Sequence, residues 1–216
     1  MRVKGSIEMT TESPMLRWAK QVQALSQSGL AYCKDPYDQE RYEALRDLSV
    51  EMMSELSGVE DLKIVIEAFS FEQGYATPKV GVRAVVVKDG CWLMVQETDD
   101  KRWCLPGGWS DVGDTPRSTV EKEVFEETGF KINVDRLIAV FDRKCHPQPS
   151  SLYDIYTLVF LCSIVGGEVQ TSIETDAVDF FSPEHLPPLS LQRMTKSQVN
   201  IIQNQIKDET LPPYFD

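Results

Sequence analysis

The chain has 216 residues, enough for one large or two small domains, and 42% hydrophobic content, enough for real cores. Thirty-four acids against 22 bases give a formal net charge of −12, which opposes the nonspecific nucleic-acid binding that basic patches provide. No apolar run approaches the ~18 residues of a membrane span, and Met1–Met9 lacks the apolar segment of an export signal.

Residues up to about 68 are helical in pattern. Pro14–Ser28 places Met15, Trp18, Ala19, Val22 and Leu25 on one stripe and ends at Gly29. Asp35-Pro36 starts a second helix that carries Leu45, Leu48, Met52 and Leu56 and stops at Gly58. Ser57 and Glu60 form a capping box for a short third helix with Leu62, Val65, Ile66 and Phe69. No cluster here has catalytic or metal-ligand spacing. The stripes read as core or subunit contact, so residues 1–70 are expected to form a helical domain that joins two copies in a homodimer.

Phe71–Pro78 reads as a linker, and from Val80 the period switches to two. Val80–Val87 and Cys91–Val95 form a hairpin around Lys88-Asp89-Gly90. Trp103–Leu105, Leu137–Arg143, Tyr153–Ser163 and Ala177–Phe181 read as further strands, with a turn at Gly166-Gly167. Thr195, with Gln198 three residues on, caps a last helix bearing Val199, Ile202 and Ile206. Residues 71–216 are thus expected to be an α+β domain. The cysteines at 33, 91, 104, 145 and 162 make no C-x-x-C and read as reduced thiols of a cytoplasmic protein. Cys145 and His146 are neighbours on a strand and point to opposite faces, which argues against a catalytic dyad.

The segment Gly107–Phe130 carries the chemistry. Thr115-Pro116 starts a helix and Gly129 ends it, with Val120, Val124 and Thr128 facing inward. Glu123, Glu126 and Glu127 then share one face at i, i+3 and i+4. Like charges at that spacing repel, and Glu126 and Glu127 also lie where the helix dipole disfavours anions. A hard divalent cation would turn that repulsion into coordination. The preceding Leu105-Pro106-Gly107-Gly108 lets backbone approach a ligand closely and leaves carbonyl oxygens free.

This stretch resembles the signature of the Nudix family. Gly108, Glu123, Val124, Glu126, Glu127 and Gly129 match it. Asp114 stands in place of the first Glu, Lys122 in place of Arg, and Phe130 in place of an aliphatic residue. The resemblance implies the Nudix fold, a mixed sheet between helices, and a magnesium-dependent reaction, with manganese as a substitute. It implies Glu123, Glu126, Glu127 and the Gly108 carbonyl as metal ligands. Asp114 is then a supporting carboxylate, and Lys122 neutralises Glu123 and Glu126 with less geometric control than Arg. Glu174, just before a strand, is a further candidate general base. Arg83, Arg102, Trp103, Gly107, Gly108, Arg143 and His146 are the candidate substrate-binding residues. The segment from Trp18 to Tyr42 resembles the helical extension of Nudix enzymes that act on nucleoside diphosphates linked to another group. A small nucleotide of the ADP-ribose or CDP-choline type is therefore the expected substrate. A triphosphate-sanitising pyrophosphatase and a non-catalytic ADP-ribose sensor are the alternatives, and intact ligand glutamates argue against the sensor.

Overall fold

The computed structural model describes residues 13–57, 69, 73–149 and 151–216. The chain divides into two compact units. One contains residues 11–78 together with 149–154, and the other contains residues 79–148 and 155–216. The expected third helix lies outside the described residues except for Phe69, which is buried.

In the first unit, α1 (Pro14–Tyr32) is capped by Ser13, whose side chain accepts from the Leu16 N–H. Asp35 Oδ1 accepts from the N–H groups of Tyr37 and Asp38 and so caps α2 (Pro36–Ser57). Two expectations change here. Helix α1 runs through Gly29 to Tyr32 instead of stopping at Gly29. A Cβ at Gly29 would lie 2.4 Å from the Tyr42 ring, so this glycine serves close helix contact and not termination. The inward face is also rotated from the expected stripe. Leu16, Ala19, Gln23, Ser26 and Gln27 of α1 are buried, with Ser49, Val50 and Met53 of α2. Small and amide side chains let the helices approach, and Gln23 donates to Gln27 at 3.0 Å. Phe69, Leu152 and Tyr153 complete this core. Met15, Trp18, Leu25, Leu45 and Leu48 are left exposed.

The second unit is built on β1 (Lys79–Lys88), β2 (Cys91–Glu97), β3 (Trp103–Cys104), β4 (Phe130–Asp142), β5 (Ile155–Gly167), β6 (Thr175–Phe181) and β7 (Tyr214–Phe215). Its helices are α3 (Pro116–Thr128) and α4 (Lys196–Lys207). The strand order is β3-β2-β1-β5-β4-β7, with β6 on the other side of β2. β1 runs parallel to β5, and β4 parallel to β7; β1–β2, β2–β3, β2–β6 and β4–β5 are antiparallel. The β1–β2 hairpin turns at Asp89 (φ 51°) and Gly90 (φ 77°), the positive pair that its sequence anticipates.

The two faces of the sheet have separate cores. Val82, Ala84 and Val86 alternate with Val85 along β1. The first three pack with Val120 and Val124 of α3, and Val85 packs with Val199 and Ile202 of α4. This is a mixed sheet between helices, preceded by a helical pair. The strand expected from Leu137 begins at Phe130 instead. Gly129 ends α3 in the left-handed conformation (φ 76°) and delivers the chain into β4 without a loop, and Phe130, Ile132 and Val134 then alternate inward. Gly166-Gly167 closes β5 and is not a separate turn, while β7 had no counterpart in the sequence reading.

Candidate active site

The site is assembled where the glycine loop lies along β1 above α3. The N–H groups of Val82 and Ala84 donate to the carbonyls of Gly108 and Pro106, both at 2.9 Å, and Ser110 N–H donates to Val80 at 3.0 Å. Gly107 has φ 138°, and a Cβ there would lie 2.2 Å from the Val82 carbonyl oxygen. Only glycine fits this approach. A Cβ at Gly108 would lie 2.5 Å from Glu123 Oε2, so the second glycine makes room for a carboxylate.

Helix α3 starts with a reciprocal Thr115–Ser118 capping box and buries Val120, Val124 and Thr128. That registration fixes the three glutamates in different environments. Glu126 is exposed, Glu123 is half-buried and Glu127 is buried. Glu127 Oε2 accepts the Gly107 N–H at 2.8 Å, and its backbone carbonyl accepts the Thr175 hydroxyl at 3.1 Å. Burial pushes the Glu127 carboxyl up to about 7, against the opposing Arg83 charge and the Gly107 N–H, with Glu123 and Glu97 adding to the rise. Glu123 is also raised, first by burial and then by Glu126.

Lys122 does not contact Glu123. Its ammonium pairs with Asp111 Oδ2 at 3.1 Å, and that bond, with the charges of Asp111, Glu126 and Asp114, holds its pKa above the ordinary value. Asp114 is exposed, and its N–H donates to the Asp111 carbonyl at 3.1 Å. Glu174 is exposed and close enough to Glu123 for its charge to help raise that carboxyl. Its carbonyl accepts the Thr98 N–H at 3.1 Å.

Other candidate residues have structural partners. Arg83 Nη1 donates to the carbonyls of Leu105, at 3.0 Å, and Gly107. The sequence suggests free loop carbonyls, but Arg83 engages Gly107 and Val82 engages Gly108. A carbonyl keeps a second lone pair, so Gly108 still has an acceptor to offer. The Trp103 ring packs edge-on against Phe181 at 4.7 Å in the core beneath α4. His146 is buried, with Nδ1 3.3 Å from Ser197 Oγ and Nε2 3.1 Å from Asp216 Oδ2. Arg143 reaches the Gln192 carbonyl and, at 2.6 Å, its Oε1. The exposed Arg102 donates its backbone N–H to Asp100 at 2.9 Å. Among the described contacts, none brings Trp103, His146, Arg143 or Arg102 to the glutamate face.

Sequence reasoning missed Asp111, Glu97, Cys104 and Arg193. Arg193 Nε lies 2.7 Å from Glu97 Oε1, and the Cys104 thiol donates to the same oxygen at 2.9 Å. No spacing rule reveals such a pairing between residues so distant in the chain.

Among the described residues, no three His, Cys, Asp or Glu side chains are gathered as a ready-made metal cluster. The donor chemistry nevertheless fits a hard divalent cation. Three carboxylates share a face, two of them are raised by burial and mutual repulsion, and Glu123 abuts the Gly108 backbone. Glu123, Glu126, Glu127 and the Gly108 carbonyl are the groups that could hold it.

A mixed sheet between two helices, with a glycine loop laid along β1 and an acidic helix beside it, is the architecture and site of one enzyme class. The chain belongs to the Nudix hydrolase family: residues 77–205 match the model described as "NUDIX domain". Residues 13–65 match the model described as "UDP-X-like, N-terminal oligomerisation domain". The chain is 38% identical over 205 residues to "Putative ADP-ribose pyrophosphatase YjhB" of Bacillus subtilis (strain 168), covering 95% of this chain and 98% of that one. It resembles a solved UDP-X diphosphatase at 36% identity and a TM-score of 0.62, over 96% of this chain and 100% of the other. It also resembles an ADP-ribose pyrophosphatase from Streptococcus suis 89-1591, at 36% identity and a TM-score of 0.59, over 65% of this chain and 100% of that one.

Proposed function

We propose that this Nudix hydrolase cleaves the diphosphate of a nucleoside diphosphate linked to a second group, of the ADP-ribose or CDP-choline type, with magnesium or manganese. The products are a nucleoside monophosphate and a phosphorylated second group. The observation that carries the reading is the buried Glu127 carboxylate docked on the Gly107 N–H, beside two further carboxylates of the same helix face. Relatives named for ADP-ribose and UDP-X over nearly their full length favour a linked diphosphate over a triphosphate.

A bound magnesium ion would neutralise the diphosphate and activate a water as nucleophile. Glu123, Glu126, Glu127 and the Gly108 carbonyl are the groups of this chain that would hold it. Arg83 fixes the loop carbonyls, so the backbone that faces the diphosphate is positioned before substrate arrives. Lys122, paired to Asp111, moderates the negative field around Glu126. Glu174, exposed at the entrance of β6 and near enough to Glu123 for its charge to be felt there, is the candidate general base.

The exposed apolar residues of α1 and α2, with the family of that segment, support a homodimer. No described helix is long and apolar enough to cross a membrane. Free thiols at all five cysteines suit the reducing cytoplasm. The test is turnover of ADP-ribose, CDP-choline, UDP-sugars and nucleoside triphosphates with each metal, with products identified by mass. Turnover confined to triphosphates would reject the linked-diphosphate reading, and tight binding of ADP-ribose without turnover would reject the hydrolase.

A further inference from the structure

Glu97 is a buried carboxylate to which the proposed reaction assigns no step. Its nearest cation is Arg193, with Nε 2.7 Å from Oε1. Arg193 is only partly buried, but an unpaired carboxylate as buried as Glu97 would be costly, so the pair calls for an explanation. Its surroundings supply one. The same Glu97 oxygen accepts the thiol of the fully buried Cys104 at 2.9 Å. Arg83 Nη1 lies 3.9 Å from the same sulfur, and its remaining bonds hold the Leu105 and Gly107 carbonyls. Gly107 in turn donates its N–H to Glu127 at 2.8 Å. A second path runs through the backbone: Glu97 is the strand partner of Thr175, whose hydroxyl donates to the Glu127 carbonyl.

Arg83 is therefore linked to two buried acids, to Glu127 through the loop and to Glu97 through the Cys104 sulfur. An unpaired Glu97 would compete for Arg83 and draw it off the loop carbonyls. We propose that Arg193, from the segment before α4, is a positioning residue for the active site: by neutralising Glu97 it leaves Arg83 free to clamp the glycine loop that seats Glu127. Arg193 is itself held by Asp99, at 3.2 Å from Nη2, and by Ser190, so its charge is fixed at Glu97.

The inference rests on the reading of Glu127 as a metal ligand, and the experiment separates the two. Arg193→Met should lower kcat by roughly tenfold or more, the usual cost of losing a group that orients a ligand, with KM for the nucleotide little changed. Mn²⁺ affinity, measured by electron paramagnetic resonance without substrate, should weaken by roughly the same factor. The double variant Glu97→Gln/Arg193→Met should recover much of both losses, because the competing charge is gone. Glu97→Gln alone should lose less than Arg193→Met, because Arg193 keeps Asp99. If Arg193→Met is insoluble, Arg193→Lys should show a smaller loss in the same direction. A lowered melting temperature with unchanged kcat and Mn²⁺ affinity would reduce the pair to a fold contact and overturn the proposal. So would a double variant as impaired as Arg193→Met. Unchanged Mn²⁺ affinity in Glu127→Gln would instead overturn the metal reading, while an Arg193→Met loss in kcat rescued by the double variant would leave the positioning role standing.

Discussion

Glu127 Oε2 sits 2.8 Å from the backbone nitrogen of Gly107, twenty residues earlier in the chain, so one hydrogen bond joins the acidic helix to the glycine loop. The bond is made in a buried setting, and burial pushes the carboxyl up to about 7 from the ordinary 4.5. In the metal-free protein the folded state therefore holds a proton on Glu127 that the unfolded chain has released. The sign follows. Between 4.5 and about 7 the native state binds more protons, so this group's contribution to stability falls as pH rises through that window. The difference is on the order of 3 kcal/mol once pH exceeds both values. Glu127→Gln removes it and keeps an oxygen for the Gly107 N–H. Urea melts of metal-free protein should show wild type losing more stability than Glu127→Gln between about pH 5 and pH 8. The variant should hardly lower the melting temperature near neutral pH, yet should abolish turnover. Near-normal kcat at low magnesium would remove Glu127 from the metal ligands.

A metal ligand must be deprotonated, so the same titration predicts linkage to metal binding. Mn²⁺ or Mg²⁺ binding near neutral pH should release protons, and affinity should fall as pH drops through about 7. Calorimetry in buffers of different ionisation enthalpy measures the released protons. Equal apparent enthalpies in all buffers would contradict the assignment.

Much of this site could be read from the sequence because it is local. Thr115, Pro116 and Gly129 mark the ends of α3, and the inward register of Val120, Val124 and Thr128 fixes which face the glutamates share. The contacts around those glutamates were not legible, because they join segments far apart or loops whose path the sequence does not fix. Lys122 finds Asp111 across the loop, Arg83 holds loop carbonyls, and Glu97 meets Arg193 from a distant segment. The N-terminal helices show a different limit. The sequence leaves their apolar stripes as either core or subunit contact; Ser26, Ser49 and Gly29 permit close helix packing on a rotated face, so Ala19, Met52 and Leu56 join the core while Met15, Trp18, Leu25, Leu45 and Leu48 stay exposed.

Lys122 and Asp111 form an exposed pair whose energetic worth lies in orientation and not in stability. Lys122→Ala is expected to impair turnover more than Lys122→Arg, since Arg keeps both the charge and a donor for Asp111. Asp111→Asn and Lys122→Ala should be non-additive in kcat/KM, as members of one contact. Equal activity of the Ala and Arg variants would make Lys122 a bystander.

Gly107→Ala tests the loop independently of charge. The backbone there has φ 138°, and the new Cβ would stand 2.2 Å from the Val82 carbonyl oxygen. Strain of this kind costs about 1–3 kcal/mol at the backbone alone, and relief requires the loop to leave β1. The variant should lose stability in denaturant melts and lose turnover together, because moving Gly107 also moves the donor to Glu127. Full activity would mean that the loop's seat on β1 is not needed for the reaction.

The apolar residues left outside the helical pair give the last expectation. Trp18 and Leu25 on α1 are 55% and 71% exposed, one heptad apart and so on one side of the helix, and Leu45 and Leu48 of α2 are exposed as well. None of them supports the core formed by Leu16, Ala19, Val50 and Met53, so a charge placed there should leave that core intact. Leu25→Glu is accordingly expected to keep the melting temperature of the folded subunit while splitting an isologous dimer, where the same new charge would face its own copy across the two-fold axis. Light scattering on the full chain at micromolar concentration should give a dimer mass for wild type and a monomer mass for Leu25→Glu. A wild-type monomer would reject the homodimer outright. A variant that stays dimeric would place the contact on another surface and leave this apolar face without the role proposed for it.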